Sequence, residues 1–189
     1  MQHQNYSLIY RLLHWAIAIT MILLAITIFL RMTWLNKNNI ADIIGPYISA
    51  TQQTLTHEQV ITLAKQIRAP MWQWHIYLGY VLVGLFSIRM MVPLWGEMPI
   101  RNPFSKHLTA KERLQLATYV VFYICIVISL ATGLFIKFGS ENLKKSMETV
   151  HTLSLYYFIP FLLLHFGGVL IDEIGKQSGI VSRIINGKK

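Results

Sequence analysis

His151 and His165 lie 14 residues apart inside an apolar run, Val150 to Ile171, that is long enough to cross a bilayer. At 1.5 Å and 100° per residue this is a rise of about 21 Å and just under four turns, so the two imidazoles point to nearly the same face at two depths. Polar side chains in hydrocarbon are costly and mark function by default. Two on one stripe require two partners at matching depths. His14, near the start of one apolar run, and His75, near the start of another, supply them. In an up-and-down chain His75 shares a level with His151, and His14 shares one with His165.

Neutral imidazole binds zinc, copper, nickel and haem iron. No Asp or Glu lies within the four apolar runs, and two imidazoles per level leave zinc without its usual four ligands. A planar tetrapyrrole brings four nitrogens and asks for two axial ligands, which fits the count best. Two irons about 20 Å apart would form an electron-transfer ladder across the membrane. Arg11 and Arg89 each carry a charge near one end of a run, where a haem propionate would offset it. The single cysteine, Cys125, leaves no CxxCH attachment motif, so coordination and packing alone must hold such a group.

The elements that position these residues are read from composition. The chain has 189 residues, 54% hydrophobic and 13% charged, too apolar for an ordinary soluble domain. Four runs account for this, at about 8–30, 73–95, 114–136 and 150–171, and none shows the alternation of a barrel strand. The expectation is an all-α integral membrane protein, a four-transmembrane-helix bundle forming one domain over 1–189. No Lys or Arg occurs in the first 10 residues and no small-residue cleavage site follows the first run, so that run is expected to be retained. The net charge of +9 is spread over loops and tails, which argues for lipid and topology rather than nucleic acid. Lys and Arg divide ten to seven in favour of the side holding both termini, predicted to be cytoplasmic.

Between the first two runs, Met32 to Met71 form a long outer loop with Trp34, Trp72 and Trp74 as aromatic anchors. Thr56 and Gln59 fit a capping box, and the spacing of Val60, Leu63, Ala64 and Ile67 predicts a short amphipathic helix over His57–Ile67, lying on the membrane or docking a redox partner. Gly79, one turn past His75, would let a flat cofactor approach the backbone. Pro93, Pro99 and Pro103 break the inner loop, and Thr109 with Glu112 starts the third span. Within that span Cys125, Tyr119 and Tyr123 read as packing residues. Pro160 is expected to kink the fourth span, and the tail to lie along the inner membrane surface.

The sequence resembles the bacterial cytochrome b561 and nickel-hydrogenase cytochrome b subunit superfamily over essentially all four spans. The resemblance rests on RLLHW around His14, WHIYLGY around His75, the interval between His151 and His165, and the tail QSGIVSRIINGKK. It implies two b-type haems held by His14, His75, His151 and His165, and electron exchange with quinone in the bacterial inner membrane. The tail is most similar to the hydrogenase and thiosulfate-reductase branch, and the long outer loop favours a periplasmic redox protein or a dehydrogenase or hydrogenase subunit as partner. Two other readings use the same residues. One is a superoxide:quinone oxidoreductase, with the anion steered by Arg31, Lys37, Lys137, Lys144 and Lys145. The other is a divalent-metal transporter or sensor.

Overall fold

The computed structural model describes residues 6–96, 102–175 and 179–187, and all regular structure among them is helical. Pro99, Arg101, Lys176, Lys188 and Lys189, together with the first two residues of the tail motif, lie outside the described residues. The elements are α1 (Leu8–Met32), α2 (Lys37–Ala50), α3 (His57–Met91) with a 3₁₀ turn over Val92–Trp95, α4 (Ala110–Phe138), α5 (Glu141–Thr152), α6 (Ser154–Ile174) and α7 (Ile180–Asn186). Four helical stretches, Leu8–Met32, His57–Trp95, Ala110–Phe138 and Glu141–Ile174, are long and apolar enough to span a membrane. Along them large apolar side chains point outward, among them Ile22, Phe29, Val121, Tyr156, Leu163 and Ile171. Water would penalise that arrangement; lipid favours it.

Leu13–Ile88 form one compact unit. Here the structure differs from the sequence expectation in two ways. First, the outer loop contains α2, opened by Asn36, whose side chain accepts from the Asn38 N–H. Its Ile40 and Ala41 pack with Val60 and Ala64 of α3 in a small buried core flanked by Leu35, Ile44 and Ile61. Val60 and Ala64 of the stripe predicted to lie on the membrane are thus covered by α2, while Ile67 stays exposed. Second, the helix beginning at His57 does not stop at Ile67 but runs on for 35 residues to Met91. The Thr56–Gln59 capping box closes its start in both directions, at 2.8 and 3.3 Å. Pro70 removes only the hydrogen bond to the Gln66 carbonyl, and both residues are exposed, so water can satisfy that carbonyl. At about 52 Å α3 is far longer than a hydrocarbon core of about 30 Å, and its N-terminal part must project beyond it.

Met1–Leu12 with Arg89–Lys189 form the second unit. A reciprocal capping box between Thr109 and Glu112 starts α4, as the sequence predicts. Asp172 of α6 takes an ion pair from Lys111 and a hydrogen bond from Gln115 at 3.1 Å, tying the start of α4 to the end of α6. The fourth span is interrupted at Leu153, where the chain makes tight bonds from Leu153 N–H to Val150 O and from Tyr156 N–H to Leu153 O. The helix continues unbroken through Pro160, so the interruption lies one residue beyond Thr152 rather than at the proline. The tail is organised by Glu173, whose carboxylate accepts from the N–H groups of Gly179 and Val181 at the start of α7. Arg11 Nη1 donates to Ile185 O at 2.9 Å, and Gly187 at φ +76° leaves the space its guanidinium fills: a Cβ there would come within 2.8 Å.

Candidate functional site

Contacts to Thr27 and Trp72 within its unit hold His75. Its Nδ1 lies 2.8 Å from the Thr27 hydroxyl of α1. That hydroxyl already donates to the Leu24 carbonyl at 2.6 Å, so Nδ1–H must be the donor and the lone pair belongs to Nε2. The ring stacks on Trp72 one turn earlier, with centroids 4.6 Å apart and planes 2° from parallel, and Arg31 caps the other side of Trp72 at 4.1 Å. Trp72, expected at the headgroup level, lies between a cation and an imidazole. Trp34 and Trp74 are exposed, as anchors should be. At Gly79 a Cβ would meet no atom within 4 Å, so a flat ring has room against the backbone there.

His14 sits on α1 with Trp15 edge-on to its ring, centroids 5.6 Å apart. It precedes Thr27, and hence the level of His75, by 13 residues. The two imidazoles of this unit are therefore about 20 Å apart along α1.

The second unit repeats the pattern. His151, in the last turn of α5, donates from Nδ1 to the Ser129 carbonyl at 2.9 Å, and a carbonyl can only accept. The Thr132 hydroxyl lies 3.3 Å from the same nitrogen while donating to Ile128 O. Gly133 packs under the ring; a Cβ there would stand 3.1 Å from Cε1. His165 on α6 has Nδ1 3.2 Å from the Tyr119 hydroxyl and stacks on Phe161 at 5.6 Å, itself stacked on Phe122 at 3.4 Å. Tyr119 and Thr132 are 13 residues apart on α4, again about 20 Å.

Arg11 and Arg89 each bury one nitrogen, Nε and Nη1 respectively, that has no hydrogen-bond partner among the described residues. Arg89 lies 5.7 Å from the Tyr123 ring. A buried guanidinium N–H without an acceptor is destabilising unless an anion meets it. A propionate-bearing ligand fits that donor set, and Nδ1 donation at His75 and His151 leaves the lone pair on Nε2, the form in which imidazole would hold haem iron. Among the described residues no three His, Cys, Asp or Glu side chains gather as a metal site would require.

The sequence points to the histidines and arginines but not to the side chains that contact them. Thr27, Ser129 and Thr132 are hydroxyl residues within apolar runs, a signal available in the sequence. Tyr119 was indistinguishable from a packing residue until its hydroxyl was seen against His165.

A family model described as prokaryotic cytochrome b561 matches residues 5–187. No curated protein and no solved structure matches the chain.

Proposed function

Because the chain belongs to the prokaryotic cytochrome b561 family, and so is a multi-pass bacterial membrane protein that binds haem b and transfers electrons, we propose that it is a di-haem cytochrome linking an outer-face donor or partner protein to quinone. His75 and His151 would hold one haem, and His14 and His165 the other. Bound haem supplies one-electron redox chemistry. The protein supplies ligands, orientation and charge.

One observation carries the reading. In each unit, taken separately, the two histidines are separated by the same helical rise of about 20 Å, ruled by His14 to Thr27 on α1 and by Tyr119 to Thr132 on α4. Two independent helices set to one spacing are what two stacked bis-imidazole sites need. The Nδ1 bonds to Thr27 and Ser129 fix the tautomer and leave the lone pair on Nε2, the nitrogen that would hold iron, as such bonds do for ligating histidines. Arg11 and Arg89 offset the propionates of the haem held by His14 and His165.

The protein resides in the inner membrane with both termini cytoplasmic, which puts His75 and His151 on the periplasmic side. We read 1–189 as one domain, supported by a family match that runs through both compact units. The partner outside the membrane is a redox protein or a dehydrogenase or hydrogenase subunit, for which the projecting helices α2 and α3 offer a surface. The test is a pyridine haemochrome assay on the purified protein and on His151→Ala and His165→Ala. Two haems per chain are expected in the parent and one in each variant, with spectrally distinct survivors. Unchanged haem content in both variants would overturn the ligand assignment.

A further inference from the structure

The end of α1 and the projecting part of α3 enclose a cavity of about 230 Å³ lined by Arg31, Lys65, Arg68, Ala69, Met71 and Trp72. Three of the six lining side chains are cations and none is acidic. No ion pair joins any of the three to a carboxylate among the described residues. The two arginines are nevertheless held in place. Arg31 lies over Trp72 at 4.1 Å, Arg68 reaches the Leu35 carbonyl with Nη1 at 3.5 Å, and Lys65 is one turn from Arg68 on α3. Like charges gathered on packed supports repel one another, and that repulsion is relieved by an anion.

We propose that this cavity is a phosphate-binding site. Two guanidiniums offer the planar, forked donors that suit phosphate oxygens, and the ammonium adds a point charge. The volume accommodates a phosphate with its first ester carbons. Position indicates the source: Arg31 stands in the last turn of α1, over Trp72 at the edge of the apolar stretch, which is the level of lipid headgroups. A free phosphate would satisfy the same donors, so the chemistry is shared and the source is decided by experiment.

The test reads acetylation of Lys65 by N-hydroxysuccinimidyl acetate, followed by peptide mass spectrometry, on the holoprotein. The protein is placed in micelles of dodecyl maltoside, a detergent without phosphate, alone, with added phosphatidylglycerol, or with added inorganic phosphate. Exposed Lys137 reports non-specific effects of surface charge. A several-fold slowing at Lys65 but not Lys137 with phosphatidylglycerol alone supports a lipid phosphodiester. The same slowing with inorganic phosphate supports a site for phosphate generally. No slowing in either arm overturns the proposal, as does slowing that persists in Arg31→Gln/Arg68→Gln. Should the double variant fail to fold, Arg31→Gln alone serves, with partial loss of protection expected and full protection counting against the site. The readout involves no haem, so the Soret band of the same samples separates this result from the fate of the haem assignment.

Discussion

The Thr27 hydroxyl gives its proton to the Leu24 carbonyl and receives one from Nδ1 of His75, so a single side chain on α1 fixes both the tautomer and the rotation of an imidazole on α3. Thr27→Val keeps the shape and removes the acceptor. Loss of such a partner costs about tenfold or more in affinity for the bound centre. Haem transfer to apomyoglobin should then be faster for one of the two haems in Thr27→Val and close to normal in Thr27→Ser. Equal loss of both haems would indicate misfolding instead of a local effect.

Gly133 tests the seating of His151 by crowding. An alanine Cβ would stand 3.1 Å from Cε1 of His151, a contact the ring relieves by moving a few tenths of an ångström. A valine adds methyl groups that the ring cannot clear without rotating away from its Ser129 bond. Gly133→Ala should retain two haems per chain and Gly133→Val one, measured by pyridine haemochrome against protein concentration.

For Arg11 and Arg89 the observable is a reduction potential. A nearby cation stabilises the reduced form, which carries one more negative charge, so removing it lowers the midpoint. A residual interaction of roughly 1 kcal/mol corresponds to about 40 mV for one electron. Arg11→Met and Arg89→Met should each lower one midpoint by on the order of this amount in a redox titration, leaving the other in place. If both titrations overlay that of the parent, neither arginine faces a propionate.

Tyr119→Phe should keep His165 seated, because the stack on Phe161 and Phe122 remains. With Nε2 on iron, Nδ1–H donates to the Tyr119 oxygen, which makes the ring a stronger donor ligand. Its loss should raise the potential of that haem without changing haem content. A variant that lost the haem would show the hydroxyl to be needed for binding rather than for tuning.

Much of this was legible in the chain because it depends on local rules. Runs of apolar residues give spans, Thr56 with Gln59 and Thr109 with Glu112 give helix starts, and four histidines in hydrocarbon announce themselves by their cost. What escaped depends on relations between helices. Whether Thr132 or its neighbour meets His151 is set by rotation about the α4 axis, which periodicity does not fix when every face is apolar. Trp72 and Tyr119 were read as generic aromatics for the same reason. The continuity of α3 was missed because a proline and two tryptophans resemble a boundary, although nothing in Arg68–Trp74 requires the helix to end. The break at Leu153 carries no glycine or proline to signal it.

That uninterrupted α3 has a mechanical consequence. Its capped beginning is clamped to α2 through Val60 and Ala64, and five turns later the same rod carries His75. The helix is continuous between them even though Pro70 leaves out one of its hydrogen bonds, so it acts as a lever: a push on the α2 end is carried along it toward the ring's alignment.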